Sequence, residues 1–207
     1  GVEQLVSEAG VRTVDQLLHS ESGELPSTLR GLVAARLDAL APLERHLLDD
    51  AAVLGRRNKI QAIVTMAEVK RAIDAEAARA RIENLAAREF LVIEGDTYSF
   101  RSDVIREVAY STLTKADRAR SHAGIAAWMI RHEDTDHEHI VDQIASHYAA
   151  AAELVADVGN VGGVPDDVAA LAVDWLTRAA ERAMADSLSA SAAGLATRAL
   201  GILDESD

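Results

Sequence analysis

Alanine occupies 40 of the 207 positions, against three prolines and twelve glycines. That imbalance constrains the fold more than any motif. Alanine carries no helix-propensity cost, whereas proline and glycine are what interrupt helices. The chain is therefore expected to be mainly α, with small helical faces meeting closely and sparse large side chains as anchors. Aromatic anchors are few: two Trp, three Tyr and two Phe. At this length there is enough chain for one large domain or two modest ones with a real core.

Lys and Arg total 21 and Asp and Glu 34, giving a net charge of −13. So acidic a surface repels polyphosphate, and neither a nucleic acid nor a membrane is expected as partner. Cysteine is absent, which excludes disulfides, thiol catalysis and Cys-based zinc sites. No apolar run approaches the roughly 18 residues of a membrane span, and no signal-peptide pattern opens the chain. A cytoplasmic location is expected. The chain begins Gly1-Val2-Glu3 without an initiator Met, which suggests a segment of something longer.

Three stretches separate. Residues 1–25 hold one or two short polar helices and a loop, with too little apolar content for a core of their own. Pro26-Ser27 starts a helix, with Ser27 as cap and Leu29, Leu32, Val33, Leu37 and Leu40 as one stripe. Pro42 opens the next helix, which buries Leu43, Leu47, Leu48, Ala51 and Leu54 and stops at Gly55. A weaker helical stretch covers about 60–72. The stretch 75–89 is strongly helical, with Ala78, Ile82, Leu85 and Ala86 on one face. Two short strands follow, Phe90-Leu91-Val92-Ile93 and Tyr98-Ser99-Phe100, around a Gly95-Asp96 turn. Three helices and a hairpin are the order of a winged helix-turn-helix, placed at 26–113, its last helix 103–113 capped by Ser102.

From Thr114 onward the pattern is helix throughout. Thr114 to Asp117 fits a capping box with Asp in place of Glu. Val141, Ile144, Ala145, Tyr148 and Ala152 keep helical period. So do Val168, Ala172, Trp175, Leu176 and Ala179, and then Ala192, Leu195, Ala196, Ala199 and Leu203. These alanine faces suit stacked helix pairs, so 114–207 reads as an irregular TPR-like α-helical repeat.

Three segments carry a family likeness: Leu25 through Leu40, Asp50-Ala51-Ala52-Val53-Leu54-Gly55-Arg56, and Tyr98 through Tyr110. They resemble the region after the nucleotide-binding domain in bacterial STAND-type signalling ATPases. Actinobacteria fuse these to class III adenylate/guanylate cyclase domains or to LuxR-type DNA-binding domains. The resemblance covers roughly 25–205. It implies that residues 1–25 end an upstream ATPase lid, and that the segment itself is no enzyme. It also implies that ATP and Mg belong only to that upstream domain, and that this domain is the partner, with other proteins meeting the repeats. Two positions depart from the family pattern. Arg57-Asn58-Lys59 stands where an aromatic is usual, and Ser102 stands where a His is usual, so no role falls to a His there.

Tests for chemistry are negative. No Gly-x-x-x-x-Gly-Lys-Ser/Thr occurs, and Gly159-Asn160-Val161-Gly162-Gly163 has neither a strand before it nor a Lys after it, so it reads as a linker. His132, His137, His139 and His147 lie among carboxylates, but no His-Glu-x-x-His is present. His137 and His139, two apart, point in different directions on a helix. The cluster reads as a solvated loop and helix start, and no catalytic, cofactor or metal residue is assigned. Arg79, Arg81 and Arg88 on the candidate recognition helix are offset by Asp74, Glu76, Glu83 and Glu89, unlike a phosphate-tracking surface. Arg101, Asp103, Arg106 and Glu107, beside the wing, form the candidate protein interface; the alternative is a set of surface ion pairs. The function expected is regulatory docking to the ATPase domain; the alternative is a transcription regulator whose winged helix binds DNA.

Overall fold

A computed structural model describes residues 27–132 and 140–204, and these fall into two units that divide between Leu40 and Ala41. The readings for residues 1–26, for the Ser27 cap, and for His132, His137 and His139 as side chains fall outside what is described. Among the described residues the chain is mainly helical, with nine helices and a small antiparallel sheet of three strands. No described helix is long and apolar enough to cross a membrane.

The first unit contributes α1, Ser27–Asp38. Val33, Leu37 and Leu40 are buried as the periodicity requires, but Leu32 is 66% exposed and so lies off the expected stripe.

In the second unit, α2 (Pro42–Leu54) begins with Pro at the first turn, where its missing N–H costs nothing. It ends at Gly55, whose φ of 125° disfavours any side chain. The sequence predicts a single hairpin after the next two helices; a third strand, β1 (Arg57–Lys59), is also present. It precedes α3 (Ile60–Arg71) and α4 (Ala75–Ala87). The hairpin strands are β2 (Leu91–Glu94) and β3 (Thr97–Phe100). The sheet order is β1-β3-β2, with Asn58 opposite Tyr98 and Leu91 opposite Phe100. Alternation along β3 buries Tyr98 and Phe100, and the Tyr98 hydroxyl donates to the Ala51 carbonyl of α2 at 3.1 Å. Leu47, Leu48, Ile63, Ile82 and Leu85 complete this core.

With glycine scarce, three helix ends turn through left-handed non-glycine residues: Ala72, Glu89 and Ser187. After α4, Glu89 N–H donates to Ala86 and Phe90 N–H to Leu85. This paired closure satisfies the last carbonyls of the helix. Some helix starts are capped by side chains: Asp74 accepts from Glu76 and Ala77 N–H, and Ser102 accepts from Ile105 N–H to open α5 (Asp103–Thr112). Thr114 accepts from Asp117 N–H at 3.1 Å and donates to the Asp117 carboxylate at 2.7 Å, opening α6 (Lys115–His132). That carboxylate returns to the capping hydroxyl rather than to a backbone N–H.

Beyond it stand α7 (Val141–Val158), α8 (Val168–Ala185) and α9 (Ser189–Asp204). Each packs on the one before it, through Ala119, Ala123 and Ala126, then Ala145, Ala149 and Ala152, then Ala172, Ala179 and Ala183. Alanine lets the backbones approach closely, and Trp175 and Leu176 supply the buried bulk. On α9 the expected inward face is only partly inward: Ala192, Ala199 and Ile202 are buried, while Ala196 and Leu203 are exposed.

Candidate functional site

Helices α2, α5, α6 and α7 converge around a buried polar cluster built on His122 and His147. Tyr110 projects from the C-terminal half of α5, and its hydroxyl lies 2.9 Å from Nε2 of His122 on α6. Nδ1 of His122 lies 2.8 Å from Nδ1 of His147 on α7. Both histidines are buried. They occupy their helices' apolar stripes, His122 among Ala119, Ala123 and Ala126, and His147 among Ile144, Tyr148 and Ala151. Burial pushes both imidazoles well below the ordinary range; for His122 the positive charges of His147, Arg118, Arg198 and Arg106 push further in the same direction. At neutral pH the pair is thus uncharged. One ring's N–H must donate to the other's lone pair, because two like tautomers facing through Nδ1 would clash or repel.

Two guanidinium groups flank the Tyr110 ring, Arg118 at 5.1 Å and Arg106 at 6.0 Å from its centroid. Each buries its Nε atom with no hydrogen-bond partner among the described residues. Beside them is a cavity of about 310 Å³ lined by Arg106, His122, Asp142, Gln143, Ser146 and His147, together with the end of α2 at Val53–Gly55.

The four residues expected to form a protein interface do not share one environment. Arg101 pairs with Glu89 at 3.7 Å and Asp103 with Arg56 at 3.1 Å, all four side chains being exposed. Glu107 is exposed on α5. Arg106 turns toward Tyr110 and the cavity. His147, read from sequence as part of a solvated polar stretch, is instead buried and paired with His122. Among the described residues no group of three or more His, Cys, Asp or Glu side chains could hold a metal ion.

Two acidic groups missed by the sequence reading lock the first half of this unit. Asp50, buried on α2, accepts from Lys70 at 3.1 Å and from Arg71 at 2.5 Å. Glu44, also buried, accepts from Asn84 and from Arg88 at 3.0 Å. Three basic residues in and beside α4 and the sheet are engaged, while Arg81 is exposed: Arg79 donates to Gln61, Arg88 just after α4 to Glu44, and Arg57 of β1 to Glu94 at 3.2 Å.

Comparison with known protein families, with curated proteins and with solved structures finds no match to this chain.

Proposed function

We propose that this chain is a non-catalytic regulatory and protein-interaction segment: a winged helix at 26–113 joined to a TPR-like repeat at 114–207, of the kind found in STAND-type signalling ATPases linked to cyclase or LuxR-type domains. Its partner on this reading is the nucleotide-binding domain of the same polypeptide, and ATP and Mg belong to that domain alone. The helix-strand-helix-helix-hairpin order and the β1-β3-β2 sheet support the winged-helix assignment. Stacked alanine faces from α6 to α9 support the repeat.

The observation that carries the choice of protein over DNA is the engagement of Arg88 by Glu44, of Arg79 by Gln61 and of Arg57 on β1 by Glu94, which leaves Arg81 as an exposed cation of α4. A helix that tracks phosphates offers free cations. Two measurements test the reading. Fluorescence anisotropy with duplex DNA should show no more than non-specific binding, about 10⁻⁴ to 10⁻⁶ M at physiological salt. Sub-micromolar, sequence-selective binding would favour the transcription-regulator reading instead. In the full-length protein, Arg101→Glu, at an exposed position, should leave the fold intact and alter nucleotide exchange. Unaltered exchange refutes docking through this face.

A further inference from the structure

We propose that the cavity between α2, α5, α6 and α7 is a binding site for a phosphate group, free or carried on a small molecule, held by Arg106 and His147 with Arg118 behind. The proposal does not rest on the regulatory reading above; it concerns a cavity that the docking surface does not use.

Arg106 brings a positive charge to the cavity wall. Arg106 and Arg118 stand within about 6 Å of one ring, and the buried Nε of each has no hydrogen-bond partner among the described residues. Yet the chain carries 34 acidic residues, and its other buried charge clusters, at Asp50 and Glu44, are closed by ion pairs. A buried guanidinium N–H without an acceptor is costly, and such a cost persists in folded proteins mainly where something fills it. Two guanidinium charges match a phosphate dianion better than a single carboxylate, and Arg suits the geometry of phosphate oxygens.

The histidine pair supplies a neutral donor. His147 lines the cavity and is 7% exposed, and its only polar partner among the described residues is His122, through Nδ1. Its Nε2 is therefore left for a ligand. Two hydrogen-bond directions are open to the chain of three groups. If the Tyr110 hydroxyl donates to Nε2 of His122, then Nδ1–H of His122 donates to Nδ1 of His147, and Nε2 of His147 bears the proton. An anion in the cavity selects this arrangement, which presents an N–H to an oxyanion without placing a charge on either ring. Ser146, next to His147, and Gln143, one turn before it on α7, add a hydroxyl and an amide to the wall. Asp142 also lines the cavity, and its carboxylate accepts from Arg182 at 2.9 Å, which removes much of its repulsion for an anion.

The test is a titration of the protein with inorganic phosphate at constant ionic strength, chloride being replaced, followed by calorimetry and by ¹H–¹⁵N spectra of the histidine side chains. Saturable binding is expected, with a shift of the His147 Nε2 resonance. Arg106→Gln should weaken it by about tenfold or more, the loss typical of a charge-assisted bond. Arg118→Gln, on another helix and outside the cavity lining, should weaken binding measurably but less, and serves should the first variant fail to fold. Glycerol phosphate distinguishes the sources: tighter binding than inorganic phosphate marks a carried group, weaker binding marks the free ion, and both uphold the site. Absence of saturable binding to the wild-type protein, or equal binding by a folded arginine variant, overturns it.

Discussion

Acid should loosen this protein at the His122–His147 pair, and the size of the effect follows from burial. In the unfolded chain each imidazole titrates near 6.5; in the fold, burial pushes His122 down to about 3 and His147 down to about 4. Protons therefore bind the unfolded chain preferentially between these limits. The contribution of the neutral pair is complete above pH 6.5, declines as pH falls through that value, and is gone below the folded-state values. Within the window each histidine loses about 1.4 kcal/mol per pH unit. At pH 5 both rings in the fold are still neutral, so the loss depends on the unfolded chain alone and reaches about 2 kcal/mol per histidine, or about 4 kcal/mol for the two. That is a large part of a typical domain stability. Urea unfolding followed by circular dichroism at pH 7.5, 6.5, 5.5 and 5.0 measures it, with the His122→Gln/His147→Gln double variant as control. The variant should show a much flatter profile. A wild-type stability that is level from pH 7.5 to 5.0, or an equal decline in the double variant, would refute the reasoning.

Three further outcomes are expected. Trp175→Ala removes a buried indole from the α8 stripe and should cost about 3–5 kcal/mol in unfolding free energy; an unchanged melting temperature would contradict its burial. Asp50→Ala strips the shared acceptor from Lys70 and Arg71, and because both cations retain some access to water it should cost about 1–3 kcal/mol by urea unfolding. Leu200→Glu, on the 61% exposed side of α9, should change stability by less than about 0.5 kcal/mol, as thermal melts would show.

The elements most legible in the sequence are those with both a period and a stop signal. Helix α2 has Pro42 at its start and Gly55 after its end, α5 has Ser102, and both ranges match the structure closely. Strand β1 is illegible because Arg57-Asn58-Lys59 has no apolar alternation; it is an edge strand with Arg57 and Lys59 exposed and Asn58 half-buried, made by backbone pairing with β3. Leu32 and Leu203 carry the right spacing for burial and yet are exposed, since a stripe of period 3.6 fixes direction on the helix but not what covers it. The polar cluster was harder still. The sequence groups four histidines near 132–147, whereas the partner of His147 is His122, on the preceding helix. A signal was present: each of the two sits at the i+3 position of an alanine- or isoleucine-lined stripe, where a polar ring must find a buried partner. Sequence spacing could not say that the partner would be the other.

The register of the small sheet also bears on how the chain folds in time. Strand β1 pairs with β3 at Arg57–Ser99 and Lys59–Thr97, so the sheet closes only after α3, α4 and β2 have been drawn into a single loop. Contacts from α6 to α9, by contrast, run mainly between consecutive helices. Loop-closure entropy makes the distant pairing slow, while neighbouring helices can dock early. The helical stack is therefore expected to form first and β1 to join last. Substitutions that weaken β1 should then speed unfolding while leaving the refolding rate nearly unchanged, which stopped-flow kinetics on an Asn58 variant would read directly.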